Sequence, residues 1–468
     1  MTSNLQNLLT TEQIRTIVRV VVITGVLLLS AGIAYLQPST MILAAVLGLP
    51  LAIVGGVGLI RWPQIGLILL VLGAVAVPFQ VPPLGIVAAI LIVLLGWWIV
   101  DMVAIRREIL LVTSPTIPPL LLFSAVVVLS FIVGQLPWFS VTQVPFDAQI
   151  AGVSIFLLSF AAFILVAHQI RELKWLKWMT YLFFICVAPA VILSTNILPR
   201  SQYYLWSLYN YNMMGSSLLW VWLVVMMFSQ AVFNRKLALP WRVALFVLTL
   251  LRLYVGLWQT RVWTSGWAPV LVALAVTIWV ARPRFAVPMS MVGGATLIVM
   301  FQQIFNAVVI GDNEYSTITR LEAWKIVAEI ASVNPILGLG PGNYRNYTVL
   351  YPILGWYVRF NSHNNYVDIF AQTGILGLVC YFWFFFMVAR LGLRLRTQVP
   401  HGGFTQAFIF GALGGLAGSL FAGVLGDWVL PFVYNVGVYG MRGSIFAWLF
   451  LGGLVAIEQM LARNVPLD

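Results

Sequence analysis

The chain has 468 residues, 62% of them hydrophobic and only 8% charged. No soluble domain of this length hides so much apolar surface, and recurring apolar runs of about 20 residues without period-2 alternation exclude a β-barrel in favour of helices. The formal net charge of +12 would suggest nucleic acid in a soluble protein. Here the basic residues gather between apolar runs, where they report topology, so no nucleic-acid partner is expected.

In chain order the apolar runs divide into about fourteen candidate spans: 17–36, 41–60, 65–79, 83–102, 117–136, 149–168, 177–196, 215–233, 237–257, 264–281, 285–304, 364–389, 406–425 and 442–460. The third is short enough for a re-entrant segment. No small-residue cleavage site follows the first, which is therefore expected to be retained. The pattern predicts an all-α, polytopic integral membrane helix bundle of about 12–14 transmembrane helices, a single transmembrane domain over 1–468, with one large insert at 305–363.

With the N-terminus inside, the inner loops hold Arg61, Arg106-Arg107, Arg171, Lys174 and Lys177, Arg235-Lys236, Arg282 and Arg284, and Arg390, Arg394 and Arg396. The early outer loops 37–40, 78–82 and 136–147 carry no Lys or Arg. This satisfies the positive-inside rule and puts the 305–363 insert outside. Outer basic residues then appear only in the second half: Arg200, Arg261, Arg320, Lys325, Arg345, Arg359 and Arg442, with Arg252 in the outer part of its span. An arginine at membrane depth costs about 2.5–3.5 kcal/mol unless it meets a partner or a watery cavity. Arg252 and Arg442 are therefore functional candidates, or pair with Asp427 or Asp368 to fix packing.

The insert carries most of the polar chemistry. Thr319 and Glu322 have capping-box spacing, and Leu321, Trp324, Val327, Ala328 and Ala331 follow on one face, predicting an amphipathic surface helix that ends at Asn334-Pro335. Arg320 would then sit in the first turn, against the helix dipole, where a bound anion reverses the sign. Gly338, Gly340, Pro341 and Gly342 predict a tight turn. Of the three histidines, only His363 falls at the outer side, at the start of a span. A histidine there can take a proton from a hydroxyl near neutral pH, with Asn364, Asn365 and Asp368 placed to orient it. The outer arginines suit a diphosphate, whose oxygens match planar guanidinium forks. Cys186 and Cys380 both lie in apolar runs, so neither a disulfide nor a thiolate metal site is expected. Asp312-Asn313-Glu314 is the one acidic triplet that could hold a divalent ion beside a diphosphate, although such a triplet is more often a solvated turn.

An arginine with a tryptophan four residues on, then NPILGLGPGNY, then HNNYVDIFAQTGILG, resembles the signature of the O-antigen ligase and bacterial polysaccharide polymerase superfamily. The positions are Arg320, Trp324, Pro335, Gly338, Gly340, Gly342, His363, Asn364, Asp368, Gly374 and Gly377. QTRVWTSGW is similar to the family's Ser-Arg-Gly-x-Trp segment, with Thr260 for the serine and Val262 for the glycine, and carries its essential arginine onto Arg261. YNMMG resembles an upstream Asn-bearing stretch and gives Asn212. The resemblance implies a bundle of roughly a dozen helices, similar to the lipid-dependent GT-C glycosyltransferases, with a lid of short helices. It also implies a cofactor-free, metal-independent, inverting transfer of a glycan from an undecaprenyl-diphosphate-linked donor to an acceptor hydroxyl at the outer face of the bacterial plasma membrane. Arg261 and Arg320 would hold the diphosphate and His363 would be the base or orient the acceptor, with Asn212, Arg252, Asn364, Asp368, Arg345 and Arg442 around the substrate. The acceptor is a glycan, a glycolipid or a protein. Ligation to lipid A core, repeat-unit polymerisation and transfer to protein therefore stay open, and a lipid or polysaccharide transporter is the reading from a different class.

Overall fold

The computed structural model describes residues 62–78, 84–108, 111–299 and 314–468, together with Val20, Thr24 and Gly58. Apart from those three residues, the expected spans 17–36 and 41–60 lie outside the described residues, as do Arg61 and Asp312-Asn313. Contacts divide the chain into Met1–Trp62 and Pro63–Asp468, and every element below belongs to the second unit.

Its described elements are helices. They run α1 Pro63–Ala76, α2 Gly85–Val100 with a π turn at Asp101–Arg106, α3 Ile117–Val133, α4 Phe146–Gln169, α5 Leu173–Ser194, α6 Ser201–Leu208 and α7 Tyr211–Met214. Next come α8 Ser217–Phe233, α9 Leu239–Tyr254 with a π turn at Val255–Gln259, α10 Thr264–Ala281 and α11 Pro283–Val299. After the undescribed stretch follow α12 Glu314–Ala331, α13 Tyr344–Tyr347, α14 Asn365–Leu395, α15 Phe404–Leu425 and α16 Met441–Ala462. Among the described residues, 8 helical segments are long and apolar enough to cross a membrane. Three shorter apolar helices, α1, α3 and α8, occupy further expected spans. The protein is an all-α, multi-pass membrane protein.

In a bilayer, helices associate through close packing, because lipid tails are as apolar as leucine. α15 supplies that packing with small residues. A Cβ added at Gly414 would fall 2.5 Å from the Ala273 carbonyl of α10, and one at Gly418 2.8 Å from the Pro269 carbonyl, so α10 and α15 touch backbone to backbone. α16 is almost wholly buried and packs on α4, with Trp448 edge-on to Phe160 at 5.4 Å and stacked on Phe384 of α14 at 5.7 Å.

The two glycine motifs explain each other. α14 is broken at Gly374, where φ is 65° and ψ −169°. The break frees two carbonyls and two amides, which a buried chain must satisfy elsewhere. The turn after α12 does so. Leu339 N and Gly340 N donate to the carbonyls of Ala371 and Gln372, at 2.9 and 3.1 Å, while Ile375 N and Leu376 N donate to those of Pro335 and Ile336, at 2.8 and 3.3 Å. A Cβ at Gly374 would lie 2.2 Å from the Ile336 oxygen, and one at Gly338 2.6 Å from the Thr373 amide nitrogen. Only glycine allows backbone to approach backbone this closely. The same turn is tied to α3 by Asn343, whose Nδ2 donates to the Gly134 carbonyl at 3.1 Å.

The surface helix starts earlier than its capping box predicts. α12 is already helical at Glu314, so Thr319 and Arg320 lie inside it and the dipole argument for Arg320 does not apply. Its buried face is Ala323, Ile326, Val327, Ile330 and Ala331, packed on Tyr344, Tyr347 and Phe432, while the expected Leu321 and Ala328 are exposed.

Candidate functional site

The segment that leads into α14 and the middle of α12 meet at a cleft of about 290 Å³ lined by Thr319, Arg320, Ile353, Arg359, Asn361 and His363. One hydrogen bond ties α12 to the segment before α14, and three more fix that segment in place. Trp324, one helical turn beyond Arg320, donates its indole Nε1 to the Ser362 carbonyl at 2.7 Å. Ser362 Oγ donates to Asp368 Oδ1 at 2.6 Å, and Tyr344 Oη donates to the same oxygen at 2.6 Å. Ser362 N donates to Tyr344 Oη at 3.2 Å. Arg320 and His363, 43 positions apart in sequence, are thereby held at one cleft.

His363 itself is left-handed, with φ 50°. That conformation costs a non-glycine residue roughly 1–2 kcal/mol and is kept only where the surroundings over-determine it. They do so here. Asn364 caps α14, its Oδ1 accepting from the amides of Tyr366 and Val367 at 2.9 and 3.3 Å, and Asn365 ties the helix start to the 426–437 loop through Leu430 O at 2.7 Å and Val429 N at 2.8 Å. The strained turn aims the imidazole away from the helix and toward that loop.

The loop supplies what His363 meets. Buried Asp427 accepts from Phe432 N at 2.7 Å on Oδ2 and from Asn435 Nδ2 at 2.7 Å on Oδ1, and Asn435 Nδ2 also reaches His363 Nδ1 at 3.4 Å. The last contact is too long to fix which ring nitrogen carries the hydrogen, but it holds the ring against the loop. Burial pushes the His363 imidazole below its ordinary value; the Asp427 charge opposes this and the Arg320 charge adds to it. Burial pushes the Asp427 carboxyl up, against its hydrogen bonds to Phe432 and Asn435 and the attraction of His363. Burial also lowers Arg320, with Asp427 opposing. Its guanidinium nevertheless stays charged near neutral pH. Neither Arg320 nor Arg359 forms an ion pair among the described residues, so two cations face a cleft beside an imidazole that burial biases toward its neutral form.

The other residues singled out in the sequence fall elsewhere. Arg261 is exposed in the turn before α10, where its carbonyl accepts from Trp267 Nε1 at 2.9 Å. It does not line the cleft. Asn212 lies in the short α7 and donates its amide to Asn210 Oδ1 at 2.9 Å. Arg252 is buried at the end of α9, its guanidinium 4.0 Å from the Trp220 ring centroid and its Nε and Nη1 without hydrogen-bond partners. Arg345 stacks on Tyr434 at 4.3 Å, and Arg442, buried at the start of α16, donates to the Val77 carbonyl. Asp427 and Asp368, considered as partners of Arg252 and Arg442, instead serve Arg320 with His363 and Ser362 with Tyr344. Asn364, Asn365 and Asp368 shape the backbone around His363 without touching its ring. Sequence reasoning missed Asp427 with Asn435 as the groups facing the ring, and it left Arg359 as one outer arginine among several. The excess of arginines in the insert was the only signal for the latter. Among the described residues no cluster of metal-ligating side chains occurs, and Asp312 of the acidic triplet is not described.

Once this geometry is known, a comparison with protein families becomes informative. Residues 202–382 match the family described as O-antigen ligase, a stretch that runs from α6 into α14 and contains Arg261, Arg320, Arg359 and His363 but not Asp427 or Asn435. No curated protein matches the chain.

Proposed function

Because residues 202–382 match the O-antigen ligase family, we propose that the chain transfers a glycan from an undecaprenyl-diphosphate-linked donor to an acceptor hydroxyl at the outer face of the bacterial plasma membrane. The observation that carries the reading is the convergence of Arg320, Arg359 and His363 on one cleft at the start of a membrane-crossing helix. A lipid-linked diphosphate lies at that level of the membrane, and paired guanidinium groups match its oxygens.

In this mechanism the acceptor oxygen attacks the anomeric carbon, the carbon–oxygen bond to the diphosphate breaks, and the diphosphate leaves with both bonding electrons. Arg320 and Arg359 balance the charge that develops on it. The unprotonated ring nitrogen of His363 takes the hydroxyl proton, and Asp427 stabilises the imidazolium that results. A single displacement inverts the anomeric centre, and no metal enters any step. Arg261 contributes only if the turn at 260–263 closes on the cleft. The segment between Ile353 and Arg359, both of which line the cleft, exposes Trp356 and Tyr357, flat aromatic faces of the kind on which sugar rings stack.

The test is glycan transfer by the purified protein from a synthetic undecaprenyl-diphosphate donor. His363→Ala should lower turnover by about 10²–10⁴, the usual share of a positioned general base. Arg320→Lys should weaken turnover strongly, because an ammonium cannot form the fork, and chelation should leave the wild type unchanged. Wild-type turnover in the histidine variant with both substrates saturating would overturn the base assignment. Donor translocation across vesicles without transfer would favour the transporter.

A further inference from the structure

The opposite end of the bundle holds a second charged cleft. It has a volume of about 500 Å³ and is lined by Arg235, Lys236, Arg282 and His401, with Phe233 and Phe410 forming apolar walls. α14 separates it from His363, and 31 residues at about 1.5 Å each place it ~45 Å away, across the membrane from the reacting groups.

The cleft is a built feature. Arg235 N and Lys236 N, in the connection between α8 and α9, both donate to the Gly402 carbonyl in the connection between α14 and α15, at 2.8 and 3.3 Å. Gly402 has φ +76°, and its amide is capped by Gln406 Oε1 at 2.8 Å, while Gln406 Nε2 meets His401 Nδ1 at 2.7 Å. On one flank the cations are already answered: Asp468 pairs with Lys177 at 3.2 Å, accepts from Thr405 N at 2.7 Å, and its carbonyl accepts from Lys236 Nζ at 3.2 Å. Arg235 and Arg282 are not. Among the described residues neither has an ion pair, so the cleft presents two guanidinium groups above an aromatic wall with no anion to meet them. Trp241 and Trp279 stand exposed on α9 and α10 at this end. Exposed tryptophans of this kind mark the headgroup level of a bilayer.

The geometry points to a binding site for an anionic phospholipid: its phosphate lies between Arg235 and Arg282, and its acyl chains follow the apolar walls of Phe233 and Phe410 into the bilayer. The chemistry recognised is a phosphate ester. The apolar walls favour the lipid as its source over a free phosphate. The site holds the connections of α8–α9 and α14–α15 together, and so braces the far end of the helix that carries the transfer site.

Short-chain phosphatidylglycerol titrated into the full-length protein in neutral detergent measures the site without any assay of transfer. The wild type should bind it saturably, with a rise in thermal midpoint. Arg235→Gln with Arg282→Gln should weaken binding about 30-fold, at roughly fivefold per basic residue near an anionic headgroup. Each single variant should give part of that loss. Arg390→Gln, an exposed arginine at the same end outside the cleft, should bind as the wild type does. The proposal is overturned if the wild type shows no saturable binding, or if Arg390→Gln loses as much as the double variant, which would make the effect general surface charge. It is also overturned if inorganic phosphate gives the same midpoint rise, which would make the ligand a soluble phosphate.

Discussion

Two segments flank the start of α14 and behave in opposite ways. The 335–342 turn meets the helix with four backbone hydrogen bonds crossing the break at Gly374. The cleft on the other side gathers a left-handed histidine, a buried carboxyl raised by burial and arginines without ion pairs. One region removes every polar liability, while the other concentrates them. The contrast divides the motif residues into those that hold and those that act: the glycines, Asn343, Asn364 and Asp368 make a rigid seat, and only Arg320 and His363 of the motif reach the cleft. Strain at the second region is sustainable because the first is locked.

The sharpest way to break that division is to unlock the seat. Gly374→Ala adds a methyl that meets the Ile336 carbonyl at 2.2 Å, at a backbone angle of +65° that disfavours any side chain. Left-handed strain of roughly 1–2 kcal/mol together with the clash puts the loss at about 3 kcal/mol or more. The thermal midpoint of the purified protein should fall, and transfer should fall with the folded fraction. A Gly374→Ala protein with an unchanged midpoint would show that the two motifs are not locked as described.

A smaller effect separates acting groups from holding ones. His363 works as a base only when neutral, so activity should rise with pH through its pKa, and because burial lowers that value the ascending limb should lie below about 6.5. The Asp427 charge raises the pKa of His363. Asp427→Asn should therefore move the limb further down in pH and reduce the plateau rate by about tenfold, as a less basic imidazole takes the proton less well. A limb that moves up, or does not move, would remove Asp427 from the reaction and leave it as a partner of Phe432 and Asn435.

Much of this was readable in the sequence because membrane helices and glycine turns are local signals. The described spans fall where apolar length puts them, and the turn at Gly338, Gly340 and Gly342 is visible as a glycine cluster, although the break at Gly374 inside the 364–389 span and its contact with that turn are not. What sequence reasoning missed was set by distance along the chain. Asp427 and Asn435 reach His363 from a connection that follows another membrane helix, and no local pattern pairs them with it. Thr319 and Glu322 fitted a capping box, yet helix was already established at Glu314, so tertiary context overrode a cap signal. Asp368 was given the ring of His363 because it follows one helical turn later, but the left-handed turn at His363 swings the ring away and leaves Asp368 to Ser362 and Tyr344.

The finest probe of the comparison is Trp324, which belongs to the seat but touches the strained turn directly. Its indole donates to the Ser362 carbonyl, the peptide that leads into His363, and this hydrogen bond ties α12 to that turn. Trp324→Phe keeps most of the ring and removes the donor, so the loss should be near 1 kcal/mol, the usual net value of one hydrogen bond, or about fivefold in rate. If Trp324 acts by holding His363 in place, that loss should appear in kcat rather than KM for the donor, and it should vanish when His363 is already alanine, since there is then no imidazole to position. If instead the loss is the same in both backgrounds, Trp324 acts through Arg320 on its own helix, and the seat extends under the arginine rather than under the histidine.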